Sequence, residues 1–263
     1  MSSKGALRFT QTLDNERDFE FFPPGSRGKE GGGGFDFNCL PSHSPRLLQV
    51  PVDFAAPPVT ITIAEEFGCA LGSHVWDCSL ALVEALLKAD VSNKSVLELG
   101  SGCGLAGIAS LKLCGASSVV VTEAEDLGVL MSLLRRNVAG VSPKLKAEPL
   151  SWSEDEGQAT VGTSPFDFVV AADVLYDRNS WKKLLVTAHA NLASSGSFLL
   201  TQKHRGDEDG DSDGDIESTR KAFIQDFLKM ASDEALFTLK EGSTVARVAA
   251  DVDYLELEKM DCT

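Results

Sequence analysis

Between Val96 and Gly107 the chain reads Val-Leu-Glu-Leu-Gly-Ser-Gly-Cys-Gly-Leu-Ala-Gly. Glycines at this spacing, between an apolar run of strand type and one of helical type, let a backbone approach a ligand closely. They also leave N–H groups aimed at a negative or polar group where the helix begins. Counted from Gly102, the same residues satisfy Gly-x-Gly-x-x-Gly, the dinucleotide fingerprint, so two ligand classes compete. Glu98, two residues before Gly100, separates them, because its carboxylate would repel a pyrophosphate and attract the ammonium of a methionine moiety. The position favours S-adenosylmethionine as cofactor. Glu123 ends the next strand, where a carboxylate can accept ribose hydroxyls, and this suits either cofactor. The plain alternative for the glycines is a tight turn with no ligand.

The elements that must position these groups follow from periodicity. Helical spacing runs from Gly72 to Lys88 through Leu80, Val83 and Leu87, and a short buried-type strand covers Ser95 to Leu99. After the glycines come a helix over Leu105 to Leu113, a strand over Val119 to Thr122 and a helix over Asp126 to Asn137. A third strand precedes Leu150. An apolar strand then covers Phe166 to Ala172, a helix Ser180 to Leu192, a turn Ser195-Gly196 and a strand Ser197 to Thr201. Such alternation with short connections predicts an α/β fold, a mostly parallel sheet with helices on both faces. Beyond Gln202 the rhythm breaks. Residues 206–217 form an acidic stretch read as a solvated loop, a helix covers Ser218 to Ala231, and strand patterns near Leu236, Val245 and Tyr254 suggest a C-terminal antiparallel hairpin.

Upstream, residues 1–45 carry Pro23-Pro24-Gly25 and the glycines 31–34, which predicts a flexible leader, with residues 46–263 as one domain. The alternating segments Leu47 to Phe54 and Val59 to Ala64 read as an N-terminal antiparallel strand pair. With 39 acidic against 24 basic residues the formal charge is -15, which opposes nucleic acid and favours a basic partner. No apolar run reaches the ~18 residues of a membrane span, so no membrane partner is expected, and the protein is read as soluble, unexported and monomeric. Six cysteines without a Cys-x-x-Cys pair suit reduced thiols in a cytoplasmic, or also nuclear, protein. The four histidines are scattered, so no metal is expected. Asp209 to Ile216 matches the start of a calcium loop, but Arg220 stands where the bidentate glutamate belongs.

Glu98-x-Gly100-x-Gly102-x-Gly104 on its strand, Glu123 after the next strand and the closing hairpin resemble the Rossmann-like, seven-stranded class I methyltransferases, which use S-adenosylmethionine. Val75-Trp76-Asp77, Leu150-Ser151-Trp152 and Asp173-Val174-Leu175-Tyr176 are similar to one branch, the protein-lysine methyltransferases of family 16. The resemblance covers roughly Val59 to Glu258 and departs at Glu123, where aspartate is frequent, and in the acidic insertion. It implies that Asp173 and Tyr176 lie at the mouth of the substrate channel. It also implies that Trp76 and Trp152 help to enclose the cofactor, Trp152 near the adenine; Ala172 is a further expected cofactor-binding residue.

A strand next to the glycine strand ends at the switch point of such a sheet, which places Asp173 near the transferred methyl group. Methyl transfer from a sulfonium asks a protein to align nucleophile, methyl and sulfur and to exclude water. A lysine acceptor must be neutral, at a cost of roughly 4.6 kcal/mol at pH 7 from its ordinary pKa. An adjacent carboxylate raises that pKa, so Asp173 is read as capturing and orienting the ammonium, with the proton lost to water; Tyr176 offers its hydroxyl or ring face. The plain alternative makes Asp173 a helix cap and Tyr176 a packing residue. The implied function is S-adenosylmethionine-dependent N-methylation of a protein lysine. A protein histidine or a small amine as acceptor, a non-catalytic binding module and a nicotinamide-dependent oxidoreductase are the other readings.

Overall fold

The computed structural model describes residues 5–11, 16–22, 47–50, 59–66, 70–124, 128–203, 216–240, 246–249 and 252–260. Most of the acidic stretch, with the calcium-type sequence, lies outside the described residues, as do Cys39, Cys262, His43 and His204. In chain order the strands are β1 (Gly5–Gln11), β2 (Glu16–Phe22), β3 (Leu47–Val50) and β4 (Val59–Ala64). Then come α1 (Asp77–Lys88), β5 (Ser95–Leu99), α2 (Leu105–Lys112), β6 (Ser118–Glu123), α3 (Gly128–Val138) and β7 (Leu145–Pro149). The remainder is β8 (Phe166–Ala172), α4 (Trp181–Asn191), β9 (Leu192–Lys203), α5 (Ile216–Asp233), β10 (Phe237–Leu239), β11 (Ala246–Ala249) and β12 (Val252–Lys259).

The principal sheet has the order β10-β12-β9-β8-β5-β6-β7, with β11 added to β12. Strands β7, β6, β5, β8 and β9 are parallel, while β12 joins β9, and β10 joins β12, antiparallel. The apolar runs of the inner strands β6 and β8 are continuous because both faces are covered. Val96, Val170 and Leu199 face α1, α2 and α3, whereas their neighbours Leu97, Val169, Phe198 and Leu200 face α4 and α5. The order of strand connection reverses between the parallel neighbours β5 and β8, which opens a crevice at their carboxyl ends. Among the described residues no helix is long and apolar enough to cross a membrane.

The N-terminal region differs from the sequence expectation in its pairing. The strands expected near Leu47 and Val59 exist, but they are the two edges of a four-stranded sheet β3-β1-β2-β4 and not each other's partners. Strands β1 and β2 fall within residues 1–45, where a leader without strands was expected, and their hairpin lies between β3 and β4. Alternation identified the edge strands; long-range pairing, which periodicity does not encode, decided the neighbours. A second difference is at Ser195-Gly196, read as a turn before a strand. The strand β9 runs through it, and the break is expressed as a shift of register, with Phe166 opposite Leu192 and Phe168 opposite Ser197. Gly196 is required there, since a Cβ would lie 2.6 Å from the Asp167 carbonyl.

Candidate functional site

The loop between β5 and α2 takes its shape from positive φ at Gly100 (61°), Gly102 (53°) and Gly104 (81°). A Cβ on Gly102 would stand 2.6 Å from the Gly72 carbonyl oxygen, so a side chain is excluded by space as well as by conformation. Gly72 sits in the 3-10 turn Leu71–Ser73, which therefore lies against the glycine loop. Trp76 braces that turn: its indole Nε1 donates to the Leu71 carbonyl at 2.7 Å. A Cβ on Gly100 would approach Trp152 Cζ2 at 3.1 Å and Val174 Cγ1 at 3.2 Å. Trp152 and the segment after β8 thus meet at the first glycine.

Two buried carboxylates grip this loop. Glu98 accepts from the Gly107 N–H at 2.8 Å, in the first turn of α2, so the strand residue caps the helix that follows it. Burial pushes its carboxyl up to about 8, with Glu123 adding to the shift and the bonds from Gly107 and Ser101 opposing it. Glu123 Oε1 accepts from the Gly102 N–H at 2.6 Å, and burial pushes its carboxyl up as well. Ser101 and Thr122 tie the ends of β5 and β6 together: the Thr122 hydroxyl donates to the Glu98 carbonyl at 2.7 Å, and the Thr122 N–H donates to Ser101 Oγ at 3.0 Å. On the outer side, the Asn137 amide of α3 donates to the carbonyls of Cys103 and Ala64, joining the loop to β4. Sequence reasoning missed Asn137, whose role appears only once α3 and β4 are neighbours.

Across the crevice, β8 ends at Ala172, a partly buried residue opposite Thr201 of β9. Asp173 follows with φ 59° and is 8% exposed. It does not cap the next helix. Asp177 does so, accepting from the Asn179 N–H at 3.0 Å at the start of the 3-10 turn Arg178–Ser180. Asp173 instead accepts from Gln202 Nε2 at 3.0 Å. Tyr176 is 65% exposed, one of three large apolar or aromatic side chains left open among the described residues. Its hydroxyl is pushed up by partial burial first, then by the charges of Glu123, Asp177 and Asp173. The turn between Asp173 and Tyr176 is held from below, where the buried Trp181 Nε1 donates to the Leu175 carbonyl at 3.1 Å.

Glu98, the three glycines, Glu123 and Trp152 therefore gather on one wall and Asp173 with Tyr176 on the other, while Trp76 acts through the 3-10 turn. Another residue that sequence reasoning missed is Gln202. A polar side chain closing the apolar run Phe198 to Thr201, level with Asp173 on the adjacent strand, was the available signal. At the same end of β9, Lys203 Nζ pairs with Asp77 Oδ2 at 3.3 Å, both largely buried, which fixes the start of α1. Among the described residues no group of three or more histidine, cysteine, aspartate or glutamate side chains could hold a metal ion.

Comparison with known proteins adds a family and a fold. The profile of a family described as lysine methyltransferase matches residues 56–225. Histone-arginine methyltransferase METTL23 of Xenopus laevis is 30% identical over 134 residues, covering 48% of this chain and 54% of the relative. EEF1A lysine methyltransferase 3 of Mus musculus is 32% identical over 154 residues, covering 56% of this chain and 63% of the relative. The chain thus spans between about half and two thirds of the length of these curated relatives. A crystal structure of ribosomal protein L11 methylase from Lactobacillus delbrueckii subsp. bulgaricus superposes with a TM-score of 0.50 at 16% identity, covering 70% of this chain and 79% of that one, a likeness of fold.

Proposed function

The chain belongs to the lysine methyltransferase family, and on that premise we propose that it transfers the methyl group of S-adenosylmethionine to a lysine side chain of a protein substrate. The observation that supports the cofactor is the pair of buried carboxylates, Glu98 and Glu123, on either side of a glycine loop, with no basic side chain bonded to either among the described residues. An uncompensated buried carboxylate is costly, and a cationic amino-acid head beside it relieves the cost. The residues present therefore fit the group. The three glycines would receive its backbone-hugging portion, Glu98 would ionise beside its ammonium, and Glu123 would hold the ribose. The group itself supplies an electrophilic methyl on a sulfonium.

The chain's own residues would do the rest. Asp173, at the mouth of the crevice, captures the lysine ammonium and directs it inward, and Tyr176 covers the same cation with its ring or hydroxyl. The carboxylate stabilises the charged form of the amine and is therefore not its base; the proton would pass to water before the neutral amine attacks. Trp152 and the turn 71–73 narrow the crevice and exclude water around the reacting atoms.

Titration calorimetry of the purified protein with S-adenosylmethionine, S-adenosylhomocysteine and NAD, repeated on Glu123→Ala, tests the cofactor. Micromolar binding of the first two, lost in the variant, supports it; binding of NAD alone overturns it. Transfer of label from tritiated S-adenosylmethionine to lysate proteins, with mass spectrometry of the modified residue, tests the acceptor. Methyl groups found on arginine or histidine would replace lysine in this reading.

A further inference from the structure

Gln202 lies near the end of β9, and its side chain is only 2% exposed. Its Oε1 accepts from the Leu175 N–H at 2.9 Å, while its Nε2 donates to Asp173 Oδ1 at 3.0 Å and to the Lys203 carbonyl at 2.9 Å. These bonds use both amide hydrogens and the amide oxygen. A flipped amide would set oxygen against two acceptors and nitrogen against a donor, so one orientation alone satisfies the site. The Asp173 N–H donates to the Thr201 carbonyl at 2.8 Å, so two consecutive residues of β9 hold the backbone and the side chain of one residue past β8. Asp173 is thereby kept at φ 59°, a left-handed conformation that residues with a Cβ avoid.

We infer that Gln202 is a positioning residue for methyl transfer: its amide fixes Asp173 and the turn through Leu175 in the arrangement that presents the carboxylate to the incoming amine. The assignment rests on the proposed function. The chemistry explains why the partner is an amide. A lysine or arginine at 202 would orient Asp173 but cancel the charge that attracts the substrate cation, and a glutamate would repel it. A neutral donor holds the carboxylate without cancelling its charge.

Gln202→Glu and Gln202→Met in the full chain test this, with tritiated S-adenosylmethionine and lysate protein as the probe. Rates are taken relative to wild type from pH 6 to 9, and cofactor affinity is measured in parallel. For Gln202→Glu the relative rate should fall about 100-fold at pH 9 and recover at least tenfold toward pH 6, where the introduced carboxyl retains a proton and donates it to Asp173. Gln202→Met, which removes all three bonds at similar volume, should lose roughly 10- to 100-fold at every pH. Both should bind S-adenosylhomocysteine within about threefold of wild type, since the Gln202 bonds go to Asp173, Leu175 and Lys203 and none to the glycine loop. A relative rate of Gln202→Glu that does not change with pH, or a Gln202→Met that labels as wild type does, overturns the assignment. If Gln202→Glu does not fold, Gln202→Met with cofactor binding intact decides alone. A wild type that binds cofactor but labels no protein lysine overturns the functional reading, and the assignment falls with it.

Discussion

Around the glycine loop both carboxylates are more than nine-tenths buried and bond to backbone N–H groups of the loop and of the helix it leads into. Across the crevice Tyr176 is mostly exposed and Asp173 depends on a side chain from another strand. The first wall is backbone shape reinforced by burial, a geometry that suits an invariant small molecule. The second is a turn propped by Gln202 and Trp181, open to solvent at its tip, where the proposed protein substrate would approach. The difference separates what each wall can tolerate. Substitutions in the loop should damage fold and cofactor binding together, whereas substitutions across the crevice should change transfer and spare both.

Gly102→Ala is the harshest break on the loop side. It combines a left-handed alanine with a Cβ 2.6 Å from a carbonyl oxygen, and should cost roughly 2–5 kcal/mol in urea unfolding and abolish cofactor binding. A stable variant that binds normally would remove the steric basis of the comparison. On the other wall, Asp173→Asn retains an acceptor for Gln202 and a residue type that tolerates φ 59°. Stability should stay within about 0.5 kcal/mol, with cofactor affinity unchanged and protein methylation reduced about 100-fold. Equal losses of binding and transfer would show that the walls are not independent.

Glu98 sharpens the comparison through pH. Burial pushes its carboxyl from the ordinary 4.5 up to about 8 in the cofactor-free protein. Between those values the folded form holds a proton that the unfolded chain releases, so the contribution of Glu98 is complete below about pH 4.5 and is lost as pH rises through about 8. The melting temperature of wild type should therefore fall relative to Glu98→Gln across that window. Parallel curves would mean that Glu98 carries no such proton. The smallest effect should come from Asp226→Ala, which removes an exposed ion pair to Arg178 at 2.9 Å. A loss of at most about 0.5 kcal/mol is expected, because Arg178 keeps its place over the rings of Trp181 and Phe223. A larger loss, seen in urea unfolding, would mean that the acceptor wall leans on α5 more than its exposed contact suggests.

Much of this could be read along the chain because the signals are local. The strand, three glycines and helix of 96–112 form one continuous unit, and β5, β6, β8 and β9 showed themselves as short apolar runs, whereas β7, Leu-Lys-Ala-Glu-Pro, did not. The elements that misled were those decided by partners distant in sequence. Val59 to Ala64 alternates correctly for a strand, yet nothing in it specifies β2 as its neighbour. The same holds within the site. Asp173 was placed at the crevice by its position after an apolar strand, but whether its carboxylate would cap a helix or meet another strand depended on contacts the local sequence does not contain.

Residue types and spacing by themselves determined the α/β class, the glycine loop with its two acidic partners, and the acidic balance of the whole chain. Tertiary structure alone decided that Glu98 turns beneath the loop onto Gly107, that Asp177 takes the cap and leaves Asp173 to Gln202, and that β1 and β2 separate β3 from β4. The division has a physical cause. Backbone conformation and burial periodicity are encoded over a few neighbouring residues, whereas the hydrogen bonds that buried polar groups must make are met by whichever strand or loop the packed core brings alongside.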